Sequence, residues 1–513
     1  MSQPSIQTLG ELKASGWISR SVKDEMRQNI MAALSKDEPL FPGVLGYEKS
    51  VLPQLVNAIL ARHDLILLGL RGQAKTRILR SLSRFLDEYI PVVEGSEIHD
   101  DPLNPISQYA KDQIEELGDN TPIQWLHRSM RYGEKLATPD TTVSDLIGDI
   151  DPIKAAAQKL SLNDEKVIHY GLLPRSNRGL FVINELPDLQ PRIQVALLNI
   201  MQERDIQIRG FTLRLPLDIV IAFSANPEDY TNRGNIITPL KDRIDAQIIT
   251  HYPKELQIAK QITAQEAWVS RSEEVSIYIP QFYRDLVEWV AFEARESEYI
   301  DQKSGVSARM TITAMEQLIS AAEQRAFRNE EKHVSLRISD LYQMVPALTG
   351  KLELVYEGEQ EGAIQVAKHL IGKAVLRVFT EHYPAPNSKR SRSNKESVSA
   401  YKDPYGEIRN WFAEGGMAEF TDDMTERQYR ANLSEIDGLS ELLEPMMKEY
   451  RSKVGKDEIE KEKFAWMGLV LEALHQYSIL GKEDLDDHTT YSDMVGSVLG
   501  RLGSIDDEDD EID

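Results

Sequence analysis

Apolar residues in the first half of the chain come in short unbroken blocks that end on polar groups. Leu65-Ile66-Leu67-Leu68, Leu180-Phe181-Val182-Ile183 and Ile219-Val220-Ile221-Ala222-Phe223 show no alternation. Such blocks suit strands buried on both faces, as in a parallel sheet. Between them the spacing becomes that of amphipathic helices, over 48–62, Arg77–Tyr89, Ile153–Leu160 and Pro191–Gln202. Pro91–Gly95 predicts a further short strand. Asp205–Pro216, with Ile206, Ile208, Leu213 and Leu215 alternating about Arg209-Gly210, predicts a hairpin. Strands interleaved with helices predict an α/β domain.

Ahead of this pattern, Thr8–Ala14 and Ser21–Leu34 read as helices, and Pro39, Phe41, Pro42 and Gly43 break the chain. Ser96–Gln124 is polar and rich in turn signals, and reads as a long loop of the kind that usually serves a function. Its His99, Asp100 and Asp101 read as a turn with solvated acids in preference to a metal site. Beyond residue 253 helical spacing takes over, in Lys254–Glu266, Gln281–Ala294, Thr311–Arg328 and Leu341–Val345, with 351–383 as an extension. A polar stretch over 384–404, carrying Lys389, Arg390, Arg392 and Lys395, reads as a solvated linker. Residues 405–500 read as a second helical region, from Trp411 and Phe412 to Trp466 and Leu474. The acidic tail over 501–513 reads as disordered.

The block at Leu65–Leu68 runs into Gly69-Leu70-Arg71-Gly72-Gln73-Ala74-Lys75-Thr76 and then into a helix. Strand, glycine-bearing turn, Lys-Thr and helix form the layout of a phosphate-binding loop. Glycines let backbone N–H groups turn onto phosphates, and the helix start favours an anion. Lys75 would reach the β and γ phosphates, and the Thr76 hydroxyl would hold Mg²⁺. Ala74 stands where the motif has glycine, which is tolerable provided that its φ is not positive.

Two further blocks end in polar groups at the edge where parallel sheets bind ligands. Asn184-Glu185 follows one and Asn226 follows the other. Glu185 is suited to activating water and Asn226 to holding it. Asn184 occupies the place of an expected Asp, and offers an oxygen to the metal without the charge. Gly46-Tyr47 reads as a possible lip over adenine.

Composition narrows the options. The chain has 513 residues, room for two to four domains, with 83 acidic and 59 basic side chains and a formal charge of −24. That balance disfavours broad binding to nucleic acid or to anionic membranes. There is no cysteine, which excludes disulfides and thiolate metal sites. No basic–apolar leader opens the chain and no apolar run approaches a membrane span, so a cytoplasmic protein is expected.

Taken in order, these stretches resemble a family. Residues 44–345 are similar to AAA+ ATPases of the clade with an insert in the second helix, the magnesium-chelatase I subunit first and MoxR-type ATPases next. The likeness is carried by Gly69–Thr76, Ser176–Glu185, Ser224–Glu228 and Pro239–Asp245. It implies a parallel P-loop sheet flanked by helices over 44–253, with an insert at about 138–178 and a pre-sensor hairpin at 205–216, followed by a helical lid over 254–350. Residues 1–43, read as an N-terminal helical segment, and the helical C-terminal region lie outside the resemblance. It implies ATP and Mg²⁺ as ligands, Asn226 as first sensor, Arg243 as arginine finger with Arg233 as a second candidate, and Arg309 as second sensor. A guanidinium from a neighbouring subunit stabilises charge developing on the γ-phosphate. The resemblance further implies a homo-oligomeric ring, expected as a hexamer, acting on a protein client such as one with a von Willebrand A domain. No such domain's Asp-x-Ser-x-Ser motif is recognised in the chain itself. Rival readings are an ATP-binding scaffold with weak hydrolysis and an enhancer-type transcription activator, which would need a DNA-binding helix-turn-helix.

Overall fold

A computed structural model describes residues 3–159, 165–203, 206–208, 211–213, 215–227, 235–271, 274–386, 403–451, 455–484 and 488–494. The chain divides into two compact units, Met1–Tyr252 and Pro253–Asp513. Within the first, the apolar blocks become β1 (Leu65–Leu68), β7 (Gly179–Asn184) and β10 (Ile219–Ala225). They are joined by β4 (Tyr132–Leu136) and β11 (Ala246–Ile249) in a five-stranded sheet of order β11-β1-β10-β7-β4. Every pairing in it is parallel.

Both faces are covered, which explains the unbroken apolar blocks. Leu65, Leu67, Leu180, Val182, Val220 and Ala222 pack with the helix Val51–Leu60, the loop helix Lys75–Ser81 and the N-terminal helix Val22–Ser35. Ile66, Leu68, Phe181, Ile183, Ile221 and Phe223 pack on the other side with Ile193, Leu197 and Ile200 of the helix Pro191–Glu203. The N-terminal segment is part of this core, and is pinned by a buried pair. Arg131 donates to both Glu25 oxygens at 2.7 Å, with the two side chains 1% and 4% exposed.

Two local readings are corrected. Ser96–Gln124 is no open loop: it contains a helix, Gln108–Leu117, and leads into β3 (Ile123–His127). β3 pairs antiparallel with β2 (Tyr89–Val93), away from the main sheet. The turn is organised by Asp100, which is fully buried instead of solvated and accepts from the Ile106 and Ser107 amides and from the Ser96 and Ser107 hydroxyls. Between β4 and β7 the chain forms an antiparallel pair, β5 (Gly148–Ile150) with β6 (Ile168–Tyr170), around the helix Pro152–Gln158. β8 (Ile206–Ile208) and β9 (Phe211–Leu213) pair antiparallel before β10.

The second unit has one core. The helices Gln281–Glu296, Arg309–Arg328, Ala363–His382 and Lys456–Gln476 share it with residues as far along as Tyr491. A short parallel pair, β12 (Ser276–Tyr278) with β13 (His333–Ser335), sits among these helices. The C-terminal region is mainly helical, with one departure from the reading of its sequence. β14 (Ala418–Thr421), β15 (Leu480–Asp484) and β16 (His488–Asp493) form an antiparallel sheet of order β14-β16-β15. Most of the linker, the hairpin turn Arg209-Gly210, Arg233 and the acidic tail lie outside the described residues.

Candidate nucleotide site

The loop after β1 is shaped by its neighbours. Gly69 leaves the sheet through a bond from its N–H to Ala225 O. A Cβ on Gly69 would overlap Thr250 Oγ1 and Gln73 Oε1, so only glycine fits this close approach. Gly72 turns the chain at φ 73°. Ala74 follows at φ 57° and ψ 17°. The condition under which the alanine would be harmless is therefore not met: its methyl group sits in the left-handed region.

Residues at the end of β11 grip the loop from the side. Thr250 donates to Gln73 Oε1 at 2.6 Å, and Tyr252 donates to Arg71 O at 2.8 Å. Tyr47 is buried, with its hydroxyl 2.9 Å from Gln73 O and 2.7 Å from His251 O. Burial pushes that hydroxyl up to about 12, so it remains a donor. Tyr47 is thus tied into the loop's backbone, and its hydroxyl is not a free lip over a base.

The polar strand ends meet at one edge of the sheet. Lys75, 7% exposed, donates from Nζ to Gly69 O, to Leu70 O at 3.0 Å and to Asn226 Oδ1 at 2.7 Å. Asn226 Nδ2 donates to Glu185 Oε2 at 3.2 Å. Glu185 is itself in the left-handed region at φ 54°, and its N–H is 3.3 Å from Ser224 Oγ. Strain of this kind persists where the surroundings fix it, typically at working sites. Ser224 donates to Asn184 Oδ1 at 2.9 Å. Asn184 Nδ2 donates to Glu134 Oε1 at 2.7 Å. Glu134 in turn accepts from Arg80 of the loop helix at 2.8 and 3.1 Å, and from the Tyr132 hydroxyl at 3.0 Å.

The structure therefore brings Lys75, Glu185, Asn226 and Asn184 together with the loop residues Gly69, Arg71, Gly72, Gln73, Ala74 and Thr76. Arg243 ends the helix Thr238–Arg243 on the partly exposed surface of the first unit, bonded to Gln202 Oε1 and Pro239 O. Arg309 opens the helix Arg309–Arg328 in the second unit. Sequence reasoning missed Glu134, Thr250 and Tyr252, and gave Ser224, though part of a singled-out stretch, no role of its own. Thr250 and Tyr252 lie just past an apolar strand, at the same edge as the loop, and that position was the available signal.

Hard oxygen donors suited to Mg²⁺ or its water shell are present in the Thr76 hydroxyl, which has no side-chain partner among the described residues, and in the Asn184 amide oxygen, which accepts from Ser224 and keeps one acceptor site. Among those residues no group of three or more His, Cys, Asp or Glu could hold a metal by itself. A magnesium ion here would depend on phosphate oxygens and water, its usual habit at nucleotide sites.

No family model matches the chain. Curated relatives do. The magnesium-chelatase subunit ChlI of Nostoc sp. is 28% identical over 233 residues, 44% of this chain and 58% of that protein. The magnesium-chelatase 38 kDa subunit of Rhodobacter capsulatus is 28% identical over 233 residues, 44% of this chain and 60% of its own length. The match thus spans less than two thirds of these relatives. A solved complex of the BchI and BchD subunits of magnesium chelatase superposes with a TM-score of 0.31 at 18% identity, over 62% of this chain and 98% of that one. Sequence relatives, sheet and phosphate loop lead to one conclusion: the chain resembles the AAA+ ATPases, in particular the magnesium-chelatase I subunit.

Proposed function

We propose that this protein is a Mg²⁺-dependent ATPase that works as a ring and uses ATP hydrolysis to remodel or activate a partner protein. The observation that carries the reading is the continuous contact from Lys75 to Asn226 to Glu185 at the carboxyl edge of one parallel sheet. The loop's amides and Lys75 bind the triphosphate, and Thr76 and Asn184 hold the metal's oxygen shell. The chemistry a Mg²⁺ ion would supply there is neutralisation of charge on the triphosphate. Glu185 takes the proton of an attacking water, and Asn226 orients that water. Arg243, at the surface, serves the neighbouring subunit's site, and Arg309 belongs to the same chemistry as second sensor. The client, which includes the possibility of a von Willebrand A domain protein, the ring and the cytoplasmic setting are parts of this proposal. Among the described residues no helix is long and apolar enough to cross a membrane.

One observation favours a second reading. Asn184 lacks the charge of aspartate and is engaged at both ends of its amide, which suits a scaffold that binds ATP and hydrolyses it weakly. Steady-state phosphate release decides between them. The motor reading expects magnesium-dependent turnover that falls at least about a hundredfold in Glu185→Gln, in line with loss of a catalytic base, with nucleotide affinity retained. The scaffold reading expects equal, near-zero release from both proteins.

A further inference from the structure

Glu134 is a carboxylate beside the nucleotide site that no motif accounts for. It lies on β4, where it is in register with Val182 of β7. Register partners point to the same face, and Val182 packs with Ile78 and Leu79 of the loop helix. Glu134 therefore points to the side of the sheet that carries that helix. Asn184, two residues beyond Val182, points the same way.

Arg80 fixes the position further. Thr76 and Arg80 are four residues apart on the loop helix and share one face, and long helical side chains lean back toward the N-terminus. The Arg80 guanidinium holds both Glu134 oxygens. The carboxylate is thus on the Thr76 side of the helix and in contact with the residue that replaces the expected aspartate. A carboxylate only accepts, so Asn184 must turn its NH₂ toward Glu134 and its oxygen toward Ser224. Arg80 sets a positive charge directly against this carboxylate, with Nε 2.8 Å from Oε2.

We propose that Glu134 supplies the negative charge of the magnesium site that Asn184 lacks, acting through the metal's water shell, with Arg80 as the counter-ion that competes for it. The acidic partner of the metal has in effect moved to the adjacent strand. This rests on the nucleotide-site reading above. Groups that orient a metal's ligands from outside the first layer typically matter tenfold to a hundredfold.

The test is a Mg²⁺ titration of binding to a non-hydrolysable ATP analogue, read by calorimetry on the full-length protein. Glu134→Gln should raise the Mg²⁺ concentration needed for half-maximal tightening by about tenfold, with magnesium-free affinity unchanged. Adding Asn184→Asp to that variant should return the midpoint to the wild-type value, a rescue that a purely structural strand–helix tie would not give. Arg80→Gln should lower the midpoint, and it decides the matter should Glu134→Gln fail to fold. A wild-type midpoint in Glu134→Gln, or in Arg80→Gln if only that variant folds, overturns the inference and leaves the nucleotide site intact. Absence of any analogue binding by the wild-type protein, with or without Mg²⁺, overturns the nucleotide reading and the inference with it.

Discussion

Ala74 carries a methyl group into a backbone conformation that glycine adopts freely and other L-residues resist. The turn is nevertheless held, because Gln73 on one side is bonded through both its carbonyl and its amide and Lys75 on the other is bonded to the loop itself. Ala74→Gly should relieve the strain and stabilise the first unit by about 1 kcal/mol, which urea unfolding followed by circular dichroism would measure. The same residue marks where sequence and structure part. The departure from the motif is visible in the sequence, but the φ that gives it meaning is set by Thr250 and Tyr47, both remote in the chain. Glu134 is hidden for the same reason. Its partners are on a neighbouring strand and on the loop helix, and its relevance appears only once the register with β7 is known. By contrast, Lys75, Glu185 and Asn226 were legible, because each closes an apolar block or follows a glycine turn.

At the level of elements, three helices of the second unit meet at a buried carboxyl. Glu288 on Gln281–Glu296 is 2% exposed and accepts from Thr263 of the helix Leu256–Glu266, which is bonded to Thr311 of Arg309–Arg328 at 2.9 Å. Burial pushes this carboxyl up to about 7, against the smaller opposing pull of Thr263, Arg295, Thr311 and Lys260. The folded form therefore holds its proton more tightly than the unfolded chain, whose carboxyl has the ordinary value of 4.5. Glu288's contribution is fully present below that value, is lost as pH rises toward 7, and is constant above it. The loss is on the order of 3 kcal/mol. Thermal melts of wild type and Glu288→Gln across pH 5 to pH 8 check it: the difference should move in the variant's favour as pH rises. Elements were as readable as their patterns allowed. Long amphipathic helices stand out, whereas β14, β15 and β16 are short, carry Glu419, Lys482, Glu483 and Asp484, and draw their burial from helices far away in sequence. Nothing in their own spacing announces a sheet.

At the level of the whole molecule, the proposed ring makes a demand that a single chain cannot meet. Glu185 belongs to the chain's own edge, while Arg243 lies at the partly exposed end of its helix, bonded to Gln202 and Pro239. Arg243→Ala should keep nucleotide affinity and lose phosphate release, as Glu185→Gln does. Mixed in equal amounts and allowed to assemble, the two silent variants should recover about a quarter of wild-type turnover, because random head-to-tail contacts pair an intact Glu185 with an intact Arg243 at that frequency. Phosphate release from the mixture is the measurement, and silence at all ratios would count against sites shared between subunits.

The grip of Thr250 and Tyr252 on the phosphate loop has one more consequence. The helix that ends at Arg243 runs almost directly into β11, and β11 ends at those two side chains. Under the ring reading, the segment feeling whether the next subunit holds a γ-phosphate is therefore the same segment that sets the posture of its own loop. News of hydrolysis would travel along a single short strand, and firing order around the circle would be written into local chain connectivity instead of long-range relays.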